Sequence, residues 1–149
     1  MERKSSIFAA VLVLAAVFIS DANAADKLQA LSAWTNESGS TLYINSIASN
    51  GQLSGTYINR AAGWGCQNTP YPVTGWVYGT AITFTVNWQN ATESCNSITA
   101  WTGFYYQGKI NTLWQLVVNN STSTSQIYKG ADTFSPSPGK SEKSLMIKK

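Results

Sequence analysis

Histidine is absent from the chain. That absence removes the commonest general base, every Ser–His or Cys–His nucleophilic pair, and the commonest ligand of transition metals. Acids are nearly as scarce. The seven Asp and Glu residues are scattered, so no two of them suggest an acid/base pair. Two cysteines are too few for a zinc site built from thiolates. No glycine-rich loop precedes a helical pattern, so no phosphate cradle is expected. Charged residues make up only 11% of the chain, and no segment carries a convincing helical period. No residue set supports catalysis, and the chain is expected not to be an enzyme, with no metal and no catalytic cofactor.

Long apolar runs are also rare. The one clear case is Ile7 to Ile19, preceded by the charged Glu2-Arg3-Lys4 and followed by Ala22-Asn23-Ala24. A charged start, an apolar middle and a small-residue cleavage site read as a secretory signal peptide over residues 1–24. The run is too short for a comfortable membrane span of about 20 residues, so no membrane anchor is expected. The protein is expected to be secreted, extracellular or periplasmic. In an oxidising compartment the pair Cys66 and Cys95 suggests one disulfide, with both cysteines in Gly/Asn/Ser-rich segments outside strands.

The net charge of +3 belongs to the tail. Between Ala25 and Pro138 the bases Lys27, Arg60, Lys109 and Lys129 are cancelled by Asp26, Glu37, Glu93 and Asp132. Lys140, Lys143, Lys148 and Lys149 face only Glu142. A neutral body with a basic tail is only weak evidence for a nucleic-acid partner, and a solvated tail with no nucleic acid is expected. Ser-Pro-Ser-Pro-Gly-Lys marks residues 136–149 as a flexible basic tail. The region 25–135 between signal and tail suits one domain with one core.

What is abundant is Trp, Tyr, Thr and Asn, a β composition. Turn signals recur at short intervals and delimit eight strands. These are Ala33–Asn36, Ser40–Ser49, Gln52–Asn59, Val73–Tyr78, Ala81–Trp88, Ser97–Tyr106, Lys109–Val118 and Ser125–Phe134. Asn50-Gly51, Gly79-Thr80 and Gln107-Gly108 read as tight hairpin turns. Eight sequential strands so joined predict an all-β fold, an eight-stranded antiparallel up-and-down β-barrel. Closure removes exposed edges and leaves room for one small ligand.

Alternation assigns faces to these strands. Ser97, Thr99 and Trp101 share one face. So do Ile110, Thr112, Trp114 and Leu116, and Ile82, Phe84 and Val86 lead to Trp88. Three tryptophans and two hydroxyls can look into one space, which describes a small-molecule pocket. An ordinary β core would give the same pattern. Asn36, Ser40, Tyr57, Asn59, Thr99 and Asp132 supply hydrogen-bonding groups near it, though each also suits a local turn, core or surface role.

The order Trp34-Thr35-Asn36-Glu37-Ser38-Gly39-Ser40, Gly55-Thr56-Tyr57, Phe84-Thr85-Val86-Asn87-Trp88, Trp101-Thr102-Gly103, Ile110-Asn111-Thr112-Leu113-Trp114 and Asp132-Thr133-Phe134 resembles the avidin and streptavidin family. The resemblance implies a barrel that holds biotin, a bound ligand and not a cofactor, in its open end; streptavidin is a standard example of such a barrel. It implies that Asn36, Ser40 and Tyr57 donate to the ureido oxygen. Asp132 would accept one ureido N–H and Asn59 the other. Thr99 would meet the thioether sulfur and Ser97 the carboxylate. Trp88, Trp101, Trp114 and Leu116 would form the walls. It also places the Cys66 and Cys95 loops over the pocket mouth. The position from which the family lends a tryptophan to a neighbouring subunit falls at Thr124. A homo-oligomer is therefore expected, with a dimer favoured over a tetramer. High-affinity, non-catalytic biotin binding, serving to sequester biotin outside the cell, is the expected function. A secreted carbohydrate-binding lectin is the alternative, because tryptophan faces with Asn and Ser also suit sugars.

Overall fold

The computed structural model describes residues 27–137. The expected signal peptide, its cleavage site and the basic tail lie outside the described residues. Eight strands follow one another in the chain: β1 (Ser32–Thr35), β2 (Thr41–Ile47), β3 (Gln52–Ile58), β4 (Pro70–Tyr78), β5 (Ala81–Gln89), β6 (Ser94–Tyr106), β7 (Lys109–Val118) and β8 (Tyr128–Pro136). Each pairs antiparallel with the next, and β8 returns to β1 through Trp34–Pro136 and Thr35–Ser135, closing the barrel. This is the expected up-and-down architecture. No helix among the described residues is long and apolar enough to cross a membrane.

Alternation fills the barrel interior. On β5 the inward Ile82, Phe84, Val86 and Trp88 are buried while Thr85 and Asn87 face out. Leu42, Ile44, Leu53, Tyr71, Val73, Ile110 and Phe134 complete the core from other strands. The β-branched and aromatic residues suit a half-buried pleated surface, so local preference and tertiary burial agree.

The turns differ between the two ends. Gly79 and Thr80 join β4 to β5, and Gln107 and Gly108 join β6 to β7. Gln107 and Gly108 both have positive φ (47° and 75°), as the twist of a two-residue hairpin demands. With the β2–β3 connection, these turns close one end. The opposite end carries the β1–β2, β3–β4, β5–β6 and β7–β8 connections, most of them longer.

Most strand boundaries differ from the sequence reading by one to three residues, and four of the differences have an identifiable cause or consequence. The β2–β3 hairpin is not a two-residue turn. Its loop covers 48–51, where Gly51 donates to the Ala48 carbonyl (2.8 Å) and Ala48 donates to the Gln52 carbonyl (2.9 Å). β4 begins at Pro70 and not at Val73. β6 begins at Ser94, so Cys95 lies within a strand and not in a loop. A bulge between Asn87 and Gln89, with Gln89 paired to Ser94, carries the ladder past the point where apolar alternation stops. β8 starts at Tyr128 and not Ser125, because Ser123 caps a 3-10 turn over Thr124–Gln126. Its Ser-Gln capping box competes locally with strand formation.

Candidate functional site

The open end of the barrel leads into a cavity of about 290 Å³. All eleven sequence-derived candidates line it: Asn36, Ser40, Tyr57, Asn59, Trp88, Ser97, Thr99, Trp101, Trp114, Leu116 and Asp132. The apolar walls rest on one aromatic stack. Phe84 lies parallel to Trp101 with centroids 4.9 Å apart, and Tyr57 packs on Trp101 at the same distance. Trp88 meets Tyr57 edge-on at 5.8 Å. These rings cannot shift independently, so the deep walls are rigid before any ligand arrives.

The polar floor is set by hydrogen bonds. Asn36 Oδ1 accepts from the backbone N–H of Ser38 (3.1 Å) and Ser40 (2.9 Å), which fixes the β1–β2 turn. Its Nδ2 therefore points inward and donates to Tyr57 Oη at 3.5 Å. Ser40 Oγ accepts from the Arg60 N–H (2.9 Å) and donates to Asn59 Oδ1 (3.3 Å). Arg60 in turn donates from its guanidinium to the Gly39 carbonyl and to Thr41 Oγ1. Asn36, Ser40, Asn59 and Tyr57 are all buried. Among the described residues no buried side-chain nitrogen or oxygen lacks a partner.

Two polar groups are aimed by tryptophans. Trp88 Nε1 donates to Thr99 Oγ1 at 2.7 Å, which leaves the Thr99 hydroxyl proton free to face the cavity. Trp101 Nε1 donates to Asp132 Oδ2 at 2.8 Å. Burial raises the Asp132 carboxyl above the ordinary carboxylate range; hydrogen bonds from Trp101, Asn36 and Trp114 oppose the rise. Burial also raises the Tyr57 hydroxyl, with Asp132 adding to the effect, so at neutral pH Tyr57 keeps its proton and remains a donor. Among the described residues Asp132 is the one ionisable carboxylate lining the cavity, and no Lys or Arg lines it.

Trp114 owes its place to a glycine. Gly130 pairs with it across β7–β8, and a Cβ at Gly130 would stand 2.5 Å from the Trp114 ring. The indole lies where any side chain at position 130 would be.

The sequence reading placed the Cys66 and Cys95 loops over the mouth but missed the side chains that form the cover. Trp64, Gly65, Val118 and Tyr128 also line the cavity. Trp64 meets Trp114 edge-on at 6.0 Å and Tyr128 at 5.7 Å, spanning the mouth from the β3–β4 loop. Thr124, by contrast, is exposed in the 3-10 turn and does not line the cavity. The signal for Trp64 is faint: one aromatic between two glycines in a segment without periodicity. Cys66 and Cys95 form a disulfide that ties this loop to β6. A Cβ at Gly65 would stand 2.8 Å from Cys95 Sγ, so the loop can approach the bridge only with glycine there. On the other side, Tyr71 Oη donates to Glu93 at 2.6 Å and holds the β5–β6 loop to β4. That bond keeps the Glu93 carboxyl below its ordinary range.

The arrangement can bind a small, flat, urea- or amide-like molecule with convergent donors, one anionic acceptor and aromatic walls. Among the described residues no group of three metal-ligating side chains converges.

Comparison with known proteins agrees with this geometry. Residues 24–137 match the model of the Avidin family. Afifavidin from Afifella pfennigii is 47% identical over 107 residues, 69% of this chain and 66% of that protein. The crystal structure of apo shwanavidin superposes with a TM-score of 0.73 at 65% identity, covering 75% of this chain and 99% of that one. The rhizavidin–biotin complex superposes with a TM-score of 0.67 at 46% identity, covering 74% and 94%.

Proposed function

The chain belongs to the avidin family, and from that premise we propose that its cavity binds free biotin without transforming it. The observation that carries the reading is the convergence of three donors at the buried floor. Asn36, Ser40 and Tyr57 all line the cavity, with Asn36 Nδ2 3.5 Å from Tyr57 Oη, and the reading seats a urea carbonyl oxygen among the three donors. Three fixed donors in a dry site favour the charge-separated form of the urea, in which the oxygen carries negative charge. Asp132 then accepts one ureido N–H, and Asn59 Oδ1 accepts the other. The Thr99 proton meets the thioether sulfur, and Ser97 meets the carboxylate at the mouth.

The hydrogen bond from Ser40 to Asn59 Oδ1 supports this reading in one further way. Biotin's carbonyl takes the Ser40 proton, and its N–H replaces that proton on Asn59. The exchange leaves neither buried group unpaired, which lowers the cost of keeping the site dry.

Export, with sequestration of biotin outside the cell, is part of the proposal and rests on the signal-like residues 1–24. A dimer is the proposed assembly. Trp76, Ile98, Phe104, Leu113 and Val117 are exposed on the outer face of β4, β6 and β7, and Ile98 stands directly opposite Val117 in the β6–β7 register. A second copy would cover that face. Trp64 closes the mouth from within the chain, so no neighbour's tryptophan is required.

The test is a titration of the purified protein with biotin, followed by tryptophan fluorescence, with light scattering of the same sample. Stoichiometric quenching with one biotin per chain supports the reading. A protein that ignores biotin but is retained on a glycan column overturns it in favour of a lectin. A tight tetramer at low concentration overturns the dimer alone.

A further inference from the structure

Asn59 does more in this structure than present an acceptor to the cavity. Its Nδ2 donates to the Gly65 carbonyl at 2.8 Å, and its Oδ1 accepts from the Ala61 N–H at 3.0 Å. Its backbone carbonyl accepts from the Asn68 N–H at 2.9 Å, and it bridges to Gln67. Gln67 Nε2 donates to the Ala61 and Trp64 carbonyls. The segment 59–68 is therefore a closed ring, and the Asn59 amide sits at its centre. These partners also fix which end of the amide is which. The oxygen faces Ala61, Ser40 and the cavity, and the nitrogen faces Gly65. The held carbonyl lies one residue beyond Trp64, the ring that spans the mouth.

From this geometry, and resting on the biotin reading above, we infer that Asn59 is the positioning residue that couples occupancy of the cavity to the strength with which the closed β3–β4 loop is held. A ligand N–H that donates to Oδ1 polarises the amide and makes Nδ2 a stronger donor to Gly65. The closed loop returns the effect, since the polarised oxygen is a better acceptor. Binding and the hold on the loop thus strengthen each other by the same factor. A hydroxyl at this position could accept from the ligand but could not reach Gly65.

The test uses the full chain as parent, Asn59→Ser, Trp64→Ala and the double variant. Biotin release is followed by chase, and amide exchange at residues 62–66 is followed without ligand. Asn59→Ser is expected to speed release about tenfold when Trp64 is present, and about threefold or less when it is absent. Exchange at 62–66 is expected to rise in the ligand-free variant. Asn59→Asp, which keeps an oxygen toward the cavity but cannot donate to Gly65, is expected to follow Asn59→Ser. It also carries the test should Asn59→Ser fail to fold. Equal factors in both Trp64 backgrounds, or unchanged exchange, overturn the coupling while leaving biotin binding intact. A parent that takes no biotin overturns the proposed function and the coupling together.

Discussion

The two ends of the barrel solve different problems with the same eight strands. At the sealed end, two two-residue turns, the 48–51 loop and the edge-on pair Trp34–Tyr105, 5.9 Å apart, finish the core. At the open end the chain runs through mostly longer loops, held in shape by hydrogen bonds that the Asn36 and Asn90 side chains accept and the Asn59 and Gln67 side chains donate. The sealed end is secured mainly by core packing and hairpin turns, with one close glycine approach, Gly51 against the Val77 carbonyl. The other is secured by particular amides, a disulfide and two close glycine approaches. Stability is thereby concentrated in the barrel body and ligand retention in the cover, and the two should respond to different substitutions.

The largest effect should come from the shared body. Phe84→Ala removes the ring beneath Trp101 and should cost about 3–5 kcal/mol of stability, read from denaturant unfolding. A cost no greater than that of a surface change would erase the distinction between body and cover. Next, Cys66→Ser with Cys95→Ser opens a loop of sequence separation 29. It should cost about 3–4 kcal/mol in the chain-entropy model. The same variant should release biotin faster while capturing it at nearly the parent rate, because a pre-ordered cover acts mainly on departure. Identical release from both forms would make the bridge a purely structural feature.

Asp132→Ala should leave the barrel folded but weaken biotin by about 1–3 kcal/mol, the cost of stranding a buried N–H. Calorimetry on the folded variant decides it, and unchanged affinity would remove Asp132 from the site. Titration of the same carboxyl gives a milder version. Its pKa is raised by burial. Between the ordinary carboxylate value and the raised one, the folded protein holds a proton that the unfolded chain has lost. The ligand-free barrel should therefore become less stable as pH rises through that window. Biotin affinity should move the other way, falling as pH drops through it, since a protonated Asp132 accepts poorly. Parallel slopes for stability and affinity would contradict this. The smallest effect belongs to the sealed end. Gln107 has a φ of 47°, a conformation Asn tolerates better. Gln107→Asn should add a few tenths of a kcal/mol to stability and leave biotin release unchanged.

The same contrast explains which features are legible in the sequence. Strand residues obey a period of two, so alternation alone assigns Phe84, Trp88, Thr99, Trp101, Thr112 and Trp114 to their face. Asn36 and Asp132 gain meaning only through family resemblance, since alone each also suits a turn or a surface. Trp64 has no such signal, because a loop has no period and its position depends on Asn59, Gln67 and the disulfide acting together. Cys95 reads as a loop residue because the ladder continues past a bulge that polar residues disguise. Ser125 reads as strand because the capping turn that excludes it depends on the geometry of Ser123 and Gln126. The features that stay hidden are therefore those fixed by side chain to backbone bonds over medium range.

Ser137 donates its backbone N–H to the Ala33 carbonyl at 2.9 Å, next to the Trp34–Pro136 pair. The C-terminal end of the described chain thus emerges at the sealed pole, whereas Tyr128, which begins β8, stands at the mouth. The length of β8 separates the two by roughly 30 Å along the strand direction. For anyone wishing to immobilise the barrel or join it to another protein, position 137 is a natural handle. A support attached there lies on the far side from the mouth, and a biotin-bearing cargo can approach unobstructed.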